Sequence, residues 1–292
     1  MGKQPIRFII LSTAIHVFSS CSASLSLVTE PNISTSQCTL KNYTTETSIS
    51  FLGCSKLSRD TTSCLGVRQA QGLNGFWLRF SCRVTLIKSG SDVIITTDGQ
   101  PDYKSPYFAM TNPCYESDFP AGRNAVSDKL GIQSISVTVP FAPAAPVGSV
   151  GTTMNTGVVG IAINGVAIFS NAPAPGDNIY AKVTTLDKCE GRPDGTKYNY
   201  HIEPPTVSNS DSNFVGVLRD GFPVYGRFEP DRASIPTLNK ASGGGHLGIT
   251  TDSPITSVYH YHVHLQTSGA DGAYFITSGF YMNTPGVCSG CL

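Results

Sequence analysis

The distribution of apolar residues along the chain predicts strands rather than helices. Runs rich in β-branched and aromatic residues, bounded by Gly, Pro or Asp, occur at 76–87, 92–98 and 134–140. No segment shows a sustained helical repeat of apolar positions, so we expect few, short helices. The 29 glycines and 19 prolines are typical of a chain with many turns. These patterns predict a mainly β fold, either a β-sandwich or a barrel-like arrangement.

A weak internal repeat divides the apolar pattern into two similar halves. Residues 160–169 read GIAINGVAIF and residues 216–225 read GVLRDGFPVY, and each copy leads to a Tyr-His pair, ending at His201 and His262. The offset is 56 residues at the turn and 61 at the histidine. Asn-Gly and Asp-Gly favour the positive-φ turns of tight hairpins. A duplication would place the two Tyr-His strands in related positions; the alternative is two unrelated hairpins with common turn chemistry.

Segment 256–268, TSVYHYHVHLQTS, carries three histidines on alternate residues. Alternate residues of a strand share one face, so the tyrosines can pack toward a core while the imidazoles form a row opposite. The row consists of His260, His262 and His264, and the other face carries Tyr259, Tyr261 and Val263.

The imidazole row predicts a metal site. Neighbouring members lie roughly 7 Å apart at Cα and the end members roughly 13 Å, so one ion would use two of the three. We expect His201, from the repeated strand, to supply the third ligand. Such a set suits zinc or copper, without a basis in the sequence for choosing between them. The residues that would complete or orient the set are His246, Asp220 and Glu203.

Two other interpretations of the histidines stay open. The imidazoles can instead hydrogen-bond to tyrosine hydroxyls and backbone carbonyls in a structural polar cluster. They can also form a pH-sensing surface, because histidine titrates near neutrality.

The first residues have the pattern of a secretory signal peptide. Lys3 and Arg7 precede an apolar stretch at 8–18, and small residues follow, which predicts a signal peptide over 1–23. The apolar stretch is too short for a comfortable membrane span, so we expect no span in the mature chain. Two sequons, at Asn32 and Asn42, predict N-glycosylation of an exported protein.

Eight cysteines remain once the signal peptide is set aside, and an even number in an oxidising compartment predicts up to four disulfides. Residues 24–78 are expected to form a disulfide-braced N-terminal extension, and 286–292 a Cys-x-x-Cys tail whose bridge is structural rather than redox-active. The cysteines are Cys38, Cys54, Cys64, Cys82, Cys114, Cys189, Cys288 and Cys291.

Charge is balanced, with 20 basic and 20 acidic residues. No face needs to be strongly positive, so nucleic-acid binding has no electrostatic support. The chain also lacks the acidic runs that mark direct mineral binding.

The quoted motifs give the chain a resemblance to a known family. With YHYH at 259–262, LRDGFPVYG at 218–226 and INGVAIF at 163–169, it resembles the YHYH-domain family, and TTDGQPDY at 96–103 is similar to that family's opening stretch. The resemblance implies a YHYH-like β domain over 79–285. Family members are mostly exported and without an established activity. The first copy departs from the motif at Asn199, and Arg192 stands where a Gly-His pair often occurs.

Two functions from different classes follow. The first is a secreted matrix or binding component, including one of a mineralised-tissue organic matrix, with extracellular matrix or secreted proteins as partners. The second is a secreted metalloenzyme, a hydrolase or oxidase, with Glu203 or Asp220 as general base and Tyr261 or Tyr225 assisting. The chain carries no GxSxG or HExxH motif, and we favour the first class.

Overall fold

Strands make up most of the regular structure, in agreement with the apolar pattern. The computed structural model describes residues 43–45, 57–146, 151–171, 178–205, 207, 214–231, 234–238, 244–266 and 273–291. The strands are β1 Tyr43–Thr45, β2 Leu57–Arg59, β3 Thr85–Ser89, β4 Asp92–Thr97, β5 Ile135–Pro140, β6 Thr152–Thr153, β7 Val158–Ala162, β8 Ala167–Phe169, β9 Gly191–Asp194, β10 Lys197–Tyr200, β11 Phe214–Leu218, β12 Pro223–Tyr225, β13 Gly245–Thr250, β14 Ser253–His262, β15 His264–Gln266, β16 Ala273–Phe275, β17 Phe280–Tyr281 and β18 Cys288–Ser289.

Helices are few and short, as expected. They are α1 Leu65–Ala70, a 3₁₀ helix at Gly75–Arg79 and α2 Ile179–Val183. Among the described residues, no helix has the length and apolar character needed to cross a membrane. The mainly β prediction is therefore confirmed.

Disulfides brace both ends of the described chain. Cys64–Cys82 ties the start of α1 to the residues after the 3₁₀ helix, which confirms the bridged N-terminal region, and Cys288–Cys291 closes the tail. Cys114 and Cys189 are also disulfide-bonded. The remaining predictions for the N-terminus lie outside the described residues: the signal peptide at 1–23, the sequons at Asn32 and Asn42, and Cys38 and Cys54.

The largest sheet has eight strands in the order β13-β14-β12-β11-β7-β8-β10-β9, and this order shows the predicted duplication. The first half consists of β7–β10. Strands β7 and β8 form a hairpin, β10 pairs in parallel with β8, and β9 pairs with β10 and forms the edge of the sheet. The second half, β11–β14, repeats this order with β11, β12, β14 and β13. The halves meet where β7 pairs with β11 in antiparallel orientation.

The register relates the halves by a local two-fold axis. Ile161 pairs with Val217 at the centre of the seam. On one side Gly160 pairs with Leu218, and on the other Gly216 pairs with Ala162, so equivalent positions of the two copies pair in the same way. A side chain at Gly160 would run into the carbonyl oxygen of Val217, so the seam needs glycine for close approach.

The turns of the two hairpins match as well. Gly165 has φ 94° and Gly221 has φ 87°, in the left-handed region that the Asn-Gly and Asp-Gly dipeptides predict.

A second, four-stranded antiparallel sheet, β18-β5-β4-β3, shares one core with the first. Its central strands alternate: Val93 and Ile95 of β4 and Ile135, Val137 and Val139 of β5 are buried and join the same apolar cluster as the eight-stranded sheet. Trp77, from the predicted N-terminal extension at 24–78, packs into this cluster too, as does Phe80 shortly after it. Small two-stranded sheets, β1-β2, β15-β16 and β17-β6, complete the fold.

The central seam should be a main source of stability. Ile161 is fully buried, so Ile161→Ala should lower the free energy of unfolding by about 2–5 kcal/mol through lost burial and a residual cavity. Urea denaturation followed by circular dichroism measures the change. Ile132, 79% exposed, provides the control, because Ile132→Ala should shift stability by no more than about 0.5 kcal/mol. Equal effects of the two substitutions would contradict the role of the seam.

Candidate metal centre

Strand β14 separates imidazoles from phenols, as the alternation predicts. Tyr259 and Tyr261 face the apolar core, at 7% and 1% exposed. His260 and His262 lie on the other face and are both buried at 1% exposed. His246 of β13 is the cross-strand partner of His260, so pairing between neighbouring strands adds a third imidazole to this face.

Four side chains come together on this face: Glu229, His246, His260 and His262. One ligand atom from each lies within 4.8 Å of all the others. The Nε2 atom of His246 is 3.2 Å from the Nε2 of His262 and 3.0 Å from a carboxylate oxygen of Glu229. Ligands at the usual 2.0–2.1 Å from a tetrahedral zinc ion stand roughly 3.4 Å apart. The cluster therefore has the size and the ligand types that one such ion requires.

Backbone carbonyls orient the two buried imidazoles. The Nδ1 of His262 lies 2.7 Å from the carbonyl oxygen of Gly226, and the Nδ1 of His260 lies 3.0 Å from that of Val258. A carbonyl only accepts, so each Nδ1 carries the hydrogen and each Nε2 keeps its lone pair. This outer-shell arrangement is the one that metal-binding histidines use.

Burial keeps these two rings neutral. Desolvation lowers the pKa of His260 to about 3 and that of His262 to about 4, with further lowering from neighbouring imidazoles. Neutral imidazole is the form that binds a metal ion. Burial also raises the pKa of Glu229, and this shift is opposed by His246. An ion with two positive charges would offset the cost of burying that carboxylate.

The cluster is open to solvent on one side and walled by aromatic residues on the other. The side chains of His246 and Glu229 are 27% and 21% exposed. The ring of Tyr225 stands edge-on to His260 at 5.6 Å, and its hydroxyl donates to Asp252 at 2.9 Å. A narrow cleft adjoins the rings of His260 and His262.

The first half of the sheet holds the corresponding positions without the ligand set. Asn199 pairs with Arg192 as His260 pairs with His246, so an amide and a guanidinium replace two imidazoles. His201 matches His262: its Nδ1 lies 3.0 Å from the carbonyl oxygen of Ser170, which corresponds to Gly226. Among the residues that the structure describes, only the second half combines three imidazoles with a carboxylate.

The structure brings together some of the predicted ligands and not others. His246, His260 and His262 converge, whereas His201 belongs to the opposite half, where its ring packs on Phe169. Strand β10, which ends one residue before His201, is separated from β14 by four strands along the sheet. His264 lies past the end of β14, where its Nδ1 is 3.2 Å from the carbonyl of His262, and it is outside the cluster of four.

The two carboxylates predicted as ligands lie outside the cluster. Glu203 pairs with Arg227 at 3.1 Å and Asp220 accepts the hydroxyl of Tyr261, so neither joins the cluster. Glu229 takes that place. It lies on the loop after β12, where no periodic pattern marks it, and the sequence reasoning missed it.

Comparison with known proteins agrees with the motifs. Residues 136–243 match the family model described as YHYH protein. The chain carries a YHYH domain. The matched segment contains the first copy, Tyr198–His201, and ends before the tetrapeptide at 259–262, so the cluster's three histidines lie beyond it. No curated protein and no solved structure matches this chain.

A buried carboxylate supports the second-half YHYH strand from its core side. Asp220 accepts hydrogen bonds from the Tyr261 hydroxyl at 2.5 Å and from the Met282 and Asn283 amides at 3.1 and 3.3 Å. Burial nevertheless raises the pKa of Asp220 to about 6. In the first half, Asn164 occupies the same position and donates to the Tyr200 hydroxyl at 3.0 Å and to Asp102 at 2.6 Å, so an uncharged side chain holds the tyrosine there with the hydrogen bond reversed.

The raised pKa of Asp220 predicts that the stability of the protein depends on pH. Because the folded-state pKa of Asp220 lies above the ordinary 3.8, its contribution to stability is present at pH below about 4 and is lost as pH rises through 6. Between pH 4 and 7 that loss amounts to about 2 kcal/mol. Asp220→Asn removes it, so the stability of the variant relative to wild type should improve over this range. Urea denaturation at both pH values measures it; an unchanged difference would contradict the assignment.

Proposed function

We propose that this protein is a secreted extracellular component that holds one zinc or copper ion through Glu229, His246, His260 and His262. The observation that carries the proposal is the convergence of three imidazoles and a carboxylate, with the Nδ1 atoms of His260 and His262 held by backbone carbonyls so that their Nε2 atoms are the ligand atoms. Imidazole and carboxylate ligands suit both metals, so the choice between them belongs to the experiment.

The surroundings of the cluster favour holding an ion over catalysing a reaction. Four protein ligands complete a tetrahedral shell, whereas catalytic zinc sites keep one position for water or substrate. The adjoining cleft also has almost no room for even a water molecule, whereas ligand pockets typically enclose roughly 300–1,000 Å³. A secreted metalloenzyme is therefore the less supported alternative.

Metal binding is tested with untagged protein, stripped by chelation and titrated separately with zinc and copper in a calorimeter. Wild type should take up one equivalent. His262→Ala should weaken binding by more than the roughly 10–100-fold that loss of an outer-shell partner causes, because it removes a direct ligand.

His201→Ala is the matched control, since His201 occupies the same place in the first half and makes the same carbonyl contact. It should leave the affinity unchanged. Binding of less than about 0.1 equivalent by folded wild type, or equal losses in both variants, would refute the proposed site.

Export is supported by the signal-like pattern at 1–23, the sequons at Asn32 and Asn42, and the disulfides. We place the protein outside the cell, as a matrix or binding component whose partners are extracellular matrix or other secreted proteins. The lack of acidic runs favours a scaffold role over a mineral-nucleating one.

Expression in cultured eukaryotic cells tests export and glycosylation together. The wild-type chain should be recovered from the medium or the insoluble matrix, and peptide N-glycosidase should lower its mass. The double variant Asn32→Gln, Asn42→Gln should show no such decrease. A chain retained in the cytosol with reduced cysteines would contradict the proposal.

A further inference from the structure

The sequence contains two Asn-Gly dipeptides, and the structure places them in opposite surroundings. Asn74-Gly75 lies between α1 and the 3₁₀ helix and is exposed, whereas Asn164-Gly165 forms the buried turn between β7 and β8. In such a dipeptide the glycine nitrogen can attack the side-chain amide of the asparagine. Glycine favours this attack because it has no side chain to shield its nitrogen or to restrict rotation of the backbone.

Hydrogen bonds fix the buried dipeptide. The Nδ2 of Asn164 donates to Asp102 at 2.6 Å and to the Tyr200 hydroxyl at 3.0 Å. The amide nitrogen of Gly165 donates to the Ala162 carbonyl at 2.8 Å. The side-chain amide and the nitrogen that would attack it are therefore both held in place, and a reaction between them requires this turn to open first.

In the described part of the chain, the exposed dipeptide shows none of these restraints. Asn74 precedes the 3₁₀ helix with an extended backbone, φ −148° and ψ 179°, and its side chain makes no capping hydrogen bond. Gly75 is the first residue of that helix, so its amide nitrogen has no acceptor within the helix.

The surroundings of Asn74 and Gly75 also leave space for the rotation that ring closure needs. Gly75 has φ 55°, and the nearest atom to a Cβ built on it would be the carbonyl oxygen of Asp252 at 3.9 Å. Asn74 lines an open pocket of about 450 Å³, so its side chain has room to turn toward the Gly75 nitrogen.

We propose that Asn74 is a self-modifying site, which loses its side-chain amide as the protein ages. The Gly75 nitrogen gives up its proton and attacks the Cγ of Asn74. A C–N bond forms, the Cγ–Nδ2 bond breaks, and ammonia leaves with that proton. Water, the sole co-reactant, then opens the cyclic imide at either carbonyl carbon. One opening leaves an aspartate, and the other leaves an isoaspartate, in which the main chain runs through the former side chain.

Isoaspartate at this position alters the turn that seats Trp77, the only tryptophan of the chain. The carbonyl of Asn74 accepts the Trp77 amide at 3.2 Å, and the Trp77 indole, 1% exposed, donates to the Phe141 carbonyl at 3.2 Å. An isoaspartate inserts one more carbon into the main chain and moves that acceptor away from the Trp77 amide. The modification therefore loosens the packing of Trp77, and it does so independently of the metal cluster.

Peptide mapping by mass spectrometry tests the site. Folded protein, kept in chelator, is incubated at body temperature and mildly alkaline pH and then digested in acid, which preserves the remaining amides. Conversion at Asn74 should be at least ~10-fold faster than at Asn164, because Asn164 reacts only after its turn opens. In denaturant with reduced disulfides, the two rates should approach each other. Equal rates in the folded protein would overturn the proposal.

Two substitutions test the effect on Trp77. Aged wild type should accept methyl groups from an isoaspartate methyltransferase and show red-shifted tryptophan emission. Asn74→Gln, whose longer side chain closes the ring far more slowly, should show neither change. Asn74→Asp, measured before ageing, carries the new charge on an unlengthened main chain and should keep the wild-type emission.

The emission decides between lengthening of the chain and added charge. An unshifted emission in fully converted wild type would overturn the effect on Trp77. A red shift already present in fresh Asn74→Asp would overturn the role of chain lengthening.

Discussion

The arrangement of this protein depends on the register of β14 between β12 and β13. Because side chains alternate across a strand, a slip of one residue would turn the imidazoles of His260 and His262 into the core and the phenols to the other face. The Tyr261–Asp220 hydrogen bond and the burial of Tyr261 oppose such a slip. The candidate metal site on one face of β14 and the packing of Tyr259 and Tyr261 on the other both follow from this register.

Duplication has given the two halves of the large sheet the same frame and different chemistry. Both halves keep a tyrosine anchored at the turn residue, through Tyr200 and Asn164 or through Tyr261 and Asp220. Arg192 and Asn199 leave the first half with one imidazole, and Tyr103 and Tyr107 seal its core-facing side. The second half keeps three imidazoles and Glu229 together, and so carries the candidate metal site.

Local patterns in the sequence predicted much of this fold. The β-branched runs predicted the antiparallel sheet of β3, β4 and β5, and the two Gly-containing turns predicted the hairpins whose repetition the eight-stranded sheet confirms. The alternation at 259–262 predicted which rings share a face. These properties follow from the two-residue period of a strand and the backbone freedom of glycine, which neighbours along the chain determine.

Convergence of distant residues was decided by the tertiary structure. Pairing of β13 with β14 selected His246, and the loop after β12 brought Glu229 to the cluster, while the expected His201 went to the other half. The sequence by itself determined strand character, turn positions and the two faces of β14. Only the tertiary structure decided which side chains meet, because contact between remote segments depends on strand order and loop paths rather than on local periodicity.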